Sequence, residues 1–510
     1  MQALKYPARK LRLTQAKTPP SGRVLDQLDH LVVVIPPKFS QRAWRDLPAQ
    51  RLLKRAAKRS LGDASIGARL DNARATGLTL VRAPAADSTF NTLSQARKWT
   101  VAALADNPTT IGIYCAGFDA ARTCELHDAA LAACHAAALQ LPQFKSKPPE
   151  QASLKQVKLF GNETRLDPRP TQAAAAGNNL ARWLAALPPN ALTASSYRAL
   201  VSDLCAQHSL DYEFMSEAKL AKLGAGAFLA VSQGNPRRDA GIARIRYRPP
   251  GTKRAKAGPQ VALVGKGILF DTGGTNLKPF KGMLDMHADM QGSGVALGTI
   301  IAMAELKVPY TAEAWLAITE NRLAADSYKS QDVITAANGK TIQTIHTDAE
   351  GRMVLADTLA LASRTSPGMI IDFATLTGSC MHALGTRYSG VFSNRLAANN
   401  LLIEAGRRSG ERVWPFPMDD DYDADLSSSV ADIKQCSPSA YADHILAARF
   451  LSQFVDAEIP WIHVDMSAGD RDGGLGPVAT KFTGFGVRLT LDLLHHDPKG
   501  PAGLAQCLKT

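Results

Sequence analysis

The stretch VGKGILFDTGGTNLK, residues 264–278, decides the fold prediction because an apolar run ends there in charged residues and glycines. Similar apolar runs recur along the C-terminal part of the chain: QVALVGKG, AEAWLAIT, TIQTIHT, GMIIDFAT and PWIHVDM. Helical stretches such as Ser293–Glu305 and Met353–Ser363 separate them. Near-continuous apolar strands between helices are typical of a sheet covered on both faces. The sequence therefore predicts a C-terminal α/β domain with a central mixed sheet covered by helices.

The N-terminal part also alternates strands and helices. HLVVVIP (30–36) and TIGIYC (110–115) are predicted strands, whereas 51–60 and 120–141 are predicted helices. Proline-containing stretches between residues 142 and 170 place a domain boundary near residue 166. We expect an N-terminal α/β domain over 1–165 and a larger α/β domain over 166–510. The first 25 residues or so are expected to be flexible.

Composition narrows the class of protein. The longest nearly uncharged apolar stretch, 129–141, is shorter than the roughly 18–20 residues that a membrane span needs, so no transmembrane helix is expected. The seven cysteines have no CxxC spacing and are odd in number, which favours reduced thiols. A secretory signal is not recognisable either. These features predict a cytoplasmic protein without a membrane partner.

The positive charge is concentrated in the N-terminal third. Residues 1–170 contain 26 Lys and Arg against 13 Asp and Glu, which accounts for the whole net charge of +13. The densest run is a predicted helix with one basic stripe: Arg51, Lys54, Arg55, Lys58 and Arg59. This stripe is either a solvated helix face or an electrostatic footprint for nucleic acid. Both interpretations stay open from the sequence.

Polar residues gather at strand ends in three places: in 264–278 with HADM (287–290) shortly after, in HTDAEGR (346–352) and in DFATLTGS (372–379). Any one of these residues has an ordinary explanation, as a helix cap or a turn residue. Four carboxylates brought together, those of Asp271, Asp289, Asp348 and Glu350, would repel one another unless a cation neutralised them. A pair of divalent metals sharing a bridging carboxylate satisfies this requirement.

These motifs resemble the leucine aminopeptidase (cytosol aminopeptidase) family of dinuclear metallopeptidases. The blocks HTDAEGR, VGKG…FDTGG…K…DM and ATLTG carry the resemblance, which covers roughly residues 170–495. The stretch WIHVDMSAGDRDGG resembles the peptidase B branch of that family. The resemblance implies a metal-dependent aminopeptidase that removes the first amino acid from peptides with a free α-amine. In such enzymes a metal-bridging hydroxide attacks the scissile carbonyl.

The resemblance also implies roles for individual residues. The metal ligands would be Lys266, Asp271, Asp289, Asp348 and Glu350. Asp271 and Glu350 would bridge two ions, expected to be zinc or manganese, with cobalt or magnesium as alternatives. Lys266 would have to be neutral, which requires a lowered pKa. Lys278 would stabilise the oxyanion, and Arg352 would hold bicarbonate as the general base.

Further implications concern specificity and assembly. The residues expected to line the first-residue pocket are Met286, Thr375, Leu376, Gly378 and Asp470. Asp470 either faces this pocket and favours a basic first residue, or lies in a solvent-facing loop. His346 replaces the usual Asn before TDAEGR. The family resemblance further implies a homohexamer.

The sequence also allows two alternatives to an active aminopeptidase. A catalytically silent homologue would be expected to lack at least one metal ligand, and every position is filled here. An additional or sole role in binding nucleic acid or another polyanion would use the basic N-terminal domain.

Overall fold

The computed structural model describes residues 4–59, 66–148, 150–251, 258–439, 441–497 and 499–508. In the basic run, the side chains of Lys58 and Arg59 lie outside this description. The chain forms two compact units. One comprises residues 7–176 and 472–481, and the other comprises 1–6, 177–471 and 482–510.

The N-terminal unit is built on a six-stranded sheet with strand order β1-β6-β5-β2-β4-β3. Its strands are β1 Arg12–Ala16, β2 His30–Ile35, β3 Ile66–Arg69, β4 Gly77–Arg82, β5 Thr110–Cys115 and β6 Gln156–Phe160. Its helices are α1 Gly22–Leu25, α2 Gln50–Arg59, α3 Thr89–Ala103 and α4 Ala120–Ala138, with a 3₁₀ turn at Ala43–Asp46. All pairings are parallel except that of β3 with β4.

The expectation of a flexible segment over the first 25 residues is wrong for part of it. β1 pairs in parallel with β6, and Arg12 N donates to Lys155 O at 2.9 Å. Leu11 is buried in the same unit. Pairing with β6 satisfies the backbone groups on one side of β1. The sequence alone did not reveal this pairing because RLTQA is largely polar.

The second unit contains an eight-stranded mixed sheet with strand order β15-β14-β17-β13-β9-β10-β8-β7. Its strands are β7 Asp211–Ser216, β8 Gly241–Tyr247, β9 Val261–Asp271, β10 Ala312–Asn321, β13 Ile370–Ala374, β14 Ser389–Ser393, β15 Val413–Pro415 and β17 Trp461–Asp465. The three central strands β10, β9 and β13 run parallel and are buried almost throughout. The predicted central mixed sheet is confirmed.

Helices also form between residues 169 and 507. They are α5 Arg169–Ala185, α6 Ala194–Gln207, α7 Glu217–Lys222, α8 Gly226–Ser232, α9 Phe280–Met283, α10 Gln291–Leu306, α11 Glu350–Ser363, α12 Gly378–Leu384, α13 Ala398–Ser409, α14 Asp443–Ser452, α15 Val487–His496 and α16 Pro501–Cys507. Two 3₁₀ turns occur at Met286–Ala288 and Asp420–Leu426. In the described part of the chain, a helix with the length and apolarity required to span a membrane is not found.

One predicted strand takes a different position. Only three residues of TIQTIHT form a strand, β12 Thr341–Gln343, which pairs with β11 Val333–Thr335 and β16 Ile433–Lys434 in a separate three-stranded sheet. Residues 336–340 connect β11 to β12 as a hairpin, with Gly339 at φ +89°. This short connection favours local pairing over entry into the central sheet. The HTDAEGR segment therefore does not extend a central strand.

Helix α10 lies unusually close to the central strands. A Cβ atom on Gly292 would lie 2.0 Å from Phe373 O in β13, and one on Gly265 in β9 would lie 2.5 Å from Gly292 O. Real Cβ atoms do not approach backbone this closely, so only glycine permits this packing. The close approach fixes the start of α10, and with it the preceding Asp289, against the middle of β9.

Candidate metal centre

Strand β9 supplies two charged residues of the site. Lys266 lies in the middle of the strand and is 3% exposed, whereas Asp271 is its last residue and is also buried. β9 lies between β10 and β13, and burying its charges is costly unless they are paired. Both residues are paired.

Lys266 connects three other elements. Its Nζ lies 2.8 Å from Asp289 Oδ1, 3.0 Å from Glu350 Oε1 and 2.9 Å from the carbonyl oxygen of Thr375. Thr375 Oγ1 in turn donates to Asp289 Oδ1 at 2.7 Å. The segment before α10, the start of α11 and the loop after β13 therefore meet at this one ammonium group.

Lys278 connects the other two carboxylates. Its Nζ lies 2.9 Å from Asp271 Oδ2 and 2.5 Å from Asp348 Oδ1. The second oxygen of Asp271 accepts hydrogen bonds from Gly273 N and Asn321 Nδ2, both at 2.8 Å. Both oxygens of Asp271 are thus oriented by neighbouring groups.

The structure brings the four predicted carboxylates into one cluster. Asp271, Asp348 and Glu350 each offer an oxygen within 4.8 Å of the others, an arrangement that could hold a metal ion. Asp289 joins them through Lys266. Asp348 and Glu350 are spaced by two residues at the start of α11, so the cluster is assembled from a strand end, a loop and a helix start rather than from strand ends alone.

Burial and neighbouring charges shift the pKa values of the cluster residues. Burial, aided by the charge of Asp271, raises the pKa of Glu350 to about 8. Burial likewise raises the pKa of Asp289 to about 6, although Lys266 opposes the shift. For Lys266, burial lowers the pKa, but the carboxylates of Asp289 and Glu350 outweigh it and the net pKa is raised. Without added cations, Lys266 is therefore charged.

Two carboxylate oxygens of the cluster have no partner. Asp289 Oδ2 and Glu350 Oε2 are both buried and accept no hydrogen bond from any described residue. Among the described residues, these four carboxylates form ion pairs with two ammonium groups, those of Lys266 and Lys278. Buried oxygens with surplus negative charge fit hard or borderline divalent cations such as Mg²⁺, Mn²⁺ or Zn²⁺.

Arg352 lies two residues after Glu350 on α11 and is 2% exposed. Its Nη2 contacts both carboxylate oxygens of Asp443, at 2.8 and 2.9 Å, and its Nη1 donates to Gln435 O at 3.2 Å. The sequence analysis expected a dissolved anion here and did not identify Asp443.

The predicted pocket residues occupy different environments. Thr375 contacts the cluster directly, and Leu376 N donates to Asp465 Oδ1 at 3.1 Å. Met286 begins the 3₁₀ turn three residues before Asp289. Gly378 is exposed at the start of α12, and Asp470 forms an isolated antiparallel bridge with Phe482.

Three supporting residues were missed by the sequence analysis. Asn321 bonds Asp271 and also donates to Thr347 O at 3.1 Å. Asp465 accepts from Thr377 Oγ1 at 2.6 Å as well as from Leu376 N. Gln435 Nε2 donates to Ala349 O at 3.0 Å. Asn321 and Asp465 could have been found because each is a polar residue at the end of an apolar strand, whereas nothing in the sequence indicated Gln435.

Comparison with known proteins tests the class of protein. The profile of the "Cytosol aminopeptidase family, catalytic domain" matches residues 179–491. A "Probable cytosol aminopeptidase" of Chlorobaculum tepidum is 36% identical over 361 residues, which are 70% of each chain. Another of Corynebacterium glutamicum is 39% identical over 317 residues, 62% of each chain.

Two solved structures are similar to this chain in fold. A mutant of tomato leucine aminopeptidase superimposes with a TM-score of 0.84 at 26% identity, covering 97% of this chain and 98% of that one. The leucyl aminopeptidase from Leishmania major, solved in complex with actinonin, has a TM-score of 0.80 at 22% identity, covering 96% and 95%, and supports the fold alone.

Fold, cluster and comparisons together define an α/β peptidase. More narrowly, the chain belongs to the cytosol aminopeptidase family, as the sequence motifs predicted. It is accordingly a leucyl aminopeptidase-type peptidase that acts on peptides. The family is metal-dependent in general, and the acidic cluster described above is the group in this chain that could bind a metal.

Proposed function

We propose that this chain is a two-metal aminopeptidase whose ions are held by Lys266, Asp271, Asp289, Asp348 and Glu350. The observation that carries the proposal is the buried cluster itself, with ligand oxygens within 4.8 Å and two carboxylate oxygens that lack partners. Zinc or manganese is the expected metal, with cobalt or magnesium as alternatives. Asp271 and Glu350 are the proposed bridging ligands.

The bound ions would supply Lewis acidity toward the scissile carbonyl and a water molecule of lowered pKa. The neutral form that Lys266 needs as a ligand would follow from their positive charge, because the carboxylates alone raise its pKa. Thr375 would keep Asp289 oriented through its hydroxyl group. This contact supports the proposed orientation of Asp289 as a ligand.

Lys278 is the proposed donor to the oxyanion that develops on the substrate carbonyl. Burial lowers the pKa of Lys278, but the carboxylates of Asp271, Glu350 and Asp348 raise it by more. The net pKa is therefore raised, and the ammonium stays charged at neutral pH. The side chain of Lys278 is 15% exposed, compared with 4% for that of Lys266. Lys278 is therefore the lysine of the cluster that a substrate can reach. A charged donor at a developing oxyanion is worth several kcal/mol, roughly 2.7–4 for one donor.

The experiment that tests the proposal is hydrolysis of a panel of unblocked aminoacyl substrates with Leu, Met, Ala, Arg, Lys, Glu or Asp first. The purified protein is assayed with Mn²⁺, Co²⁺ or Zn²⁺ and after chelation. Metal-dependent turnover is expected. Silence with every metal and substrate, in a folded protein, would contradict it.

The same panel addresses specificity. Met286, Thr375, Leu376 and Gly378 are proposed to line the first-residue pocket, and Thr375 is supported by its contact with the cluster. For Asp470, a preference for Arg or Lys that disappears in Asp470→Asn would support a pocket role. An unchanged preference would assign it to the loop.

Assembly and location complete the proposal. A homohexamer is proposed from the family resemblance and is tested by light scattering of the purified chain. A cytoplasmic location is proposed because the described residues contain no disulfide, which suits a reducing compartment. Fractionation of the source cells tests this location.

A second candidate function is nucleic-acid binding by α2. This helix buries Leu53 and Ala57 and exposes Arg51 and Arg55, which make no ion pair within the described residues. A mobility-shift assay at increasing salt, with Arg51, Lys54 and Arg55 changed to Gln, tests it. Phosphate contacts predict steep loss of binding with salt and weaker binding by the variant. No binding, or binding that neither salt nor neutralisation changes, would contradict it.

A further inference from the structure

The guanidinium group of Arg352 is buried beside the metal centre and is already engaged. Nη2 is held by both oxygens of Asp443, and Nη1 by the carbonyl oxygen of Gln435. Nε alone has no acceptor among the described residues. Because a guanidinium binds a small carboxylate most strongly through two N–H groups of one edge, a dissolved anion would first have to displace Asp443.

The carboxylate of Asp443 is presented by a fixed element. It is the first residue of α14, where a negative charge is favoured by the helix dipole. The next residue, His444, receives support from α12, since its backbone N and its Nδ1 lie 2.9 and 3.1 Å from Ser379 Oγ. The side chain of Asp443 is 26% exposed, so the position is open to small solutes from one side.

We propose that Asp443 is the built-in anion of this active site, occupying the position at Arg352 where the sequence analysis expected bicarbonate. The inference rests on the proposed function. A buried guanidinium requires an anion, and here the chain supplies it. The enzyme should therefore work without bicarbonate, and removal of the Asp443 carboxylate should create a binding site for a small anion.

Binding is tested first, independently of activity. Thermal unfolding of the metal-loaded wild-type protein and of Asp443→Ala is followed with bicarbonate or formate against chloride at equal ionic strength. The variant should gain about 1–4 °C in melting temperature with bicarbonate or formate, whereas the wild type should not respond. The response should vanish in Arg352→Met/Asp443→Ala.

Asp423→Ala provides a matched control. Asp423 pairs with Arg449 through two contacts, at 2.7 and 2.5 Å, in an ion pair that includes no residue of the carboxylate cluster. Its removal should leave turnover unchanged and create no response to bicarbonate in turnover. An increase in the turnover of this control on adding bicarbonate would show that bicarbonate acts generally and would overturn the assignment.

Activity is then measured in carbon dioxide-depleted buffer. Wild-type turnover should change less than about twofold on adding bicarbonate. Asp443→Ala should lose on the order of 10²-fold in kcat and recover much of it with bicarbonate. Asp443→Asn, which fills the space without the charge, should not recover.

Two results would overturn the inference. The first is that the wild-type enzyme binds or requires bicarbonate, which can be measured without any variant. The other is an Asp443→Ala protein that is less stable but unresponsive to anions, which would make Asp443 a purely structural residue. If the wild type showed no metal-dependent hydrolysis at all, the proposed function would fail while the thermal comparison would still decide the anion site.

Discussion

Gly351 leaves room for the side chain of Lys266 because it has no Cβ atom. It is the second residue of α11, and a Cβ atom there would lie 2.5 Å from Cε and 2.6 Å from Nζ of Lys266. Ordinary contacts between such atoms are about 3.5–4.0 Å, so Gly351→Ala must displace the lysine head by about 1 Å. This moves Nζ away from Asp289 and Glu350, which it now contacts at 2.8 and 3.0 Å.

Two effects on stability oppose each other. Overpacking costs about 1–3 kcal/mol, whereas alanine in place of glycine within a helix contributes about 1 kcal/mol. We therefore expect the free energy of unfolding of the metal-free protein to fall by only about 0–2 kcal/mol. Metal affinity should fall by roughly 10–100-fold, the loss that is typical when a residue that orients a metal ligand is changed.

Metal affinity is measured by competition with a chromophoric chelator, and stability by calorimetry of the metal-free protein. Gly294→Ala in α10 is the matched control, since its Cβ atom would lie 3.4 Å from Ala181 Cα, an ordinary contact. The control should bind metal like the wild type. If Gly351→Ala folds and also binds both ions with wild-type affinity, Lys266 is not a ligand.

Three further predictions concern single residues. Lys278→Met should keep its metal content but lose roughly 10²–10³-fold in kcat, measured with a leucyl substrate, and a parallel loss of metal would contradict the oxyanion role. Asp465→Ala should lower the free energy of unfolding by about 1–3 kcal/mol and raise KM, because the backbone N–H of Leu376 and the hydroxyl of Thr377 lose their acceptor; equal stability in denaturant titration would refute this. For Asp29, burial raises the pKa but is outweighed by hydrogen bonds from Thr109, Thr110 and Arg74, so the folded pKa is lowered. This stabilisation is present above the unfolded pKa of about 3.9 and is lost as the pH falls through the folded value; Asp29→Asn should therefore be less stable than wild type near pH 6 and equal to it at the acid end, and a pH-independent difference would contradict the assignment.

Much of the fold follows from local patterns. The apolar runs at 261–271, 312–321, 370–374 and 461–465 are strands of the central sheet because both faces of these strands are buried. The motif residues could likewise be identified as a group, since charges at buried strand ends need partners. In the structure, Lys266 contacts Asp289 and Glu350, whereas Lys278 contacts Asp271 and Asp348.

Other features depend on long-range geometry that the sequence does not encode locally. Asp443 follows Arg352 by 91 residues, and their contact depends on how α11 and α14 pack. The polar strand β1 became part of a sheet only because β6 offers a free edge. TIQTIHT has strand-like composition, but a five-residue hairpin connection determined its partner.

Anomalous diffraction from crystals grown with Mn²⁺ or Zn²⁺ tests the central claim most directly. Data collected at the absorption edge of the metal should show two peaks, both in contact with Asp271 and Glu350, one also near Lys266 and Asp289 and the other near Asp348. A single peak, or none in a crystal of metal-activated enzyme, with Lys278 still paired to Asp271 and Asp348, would contradict the two-metal centre.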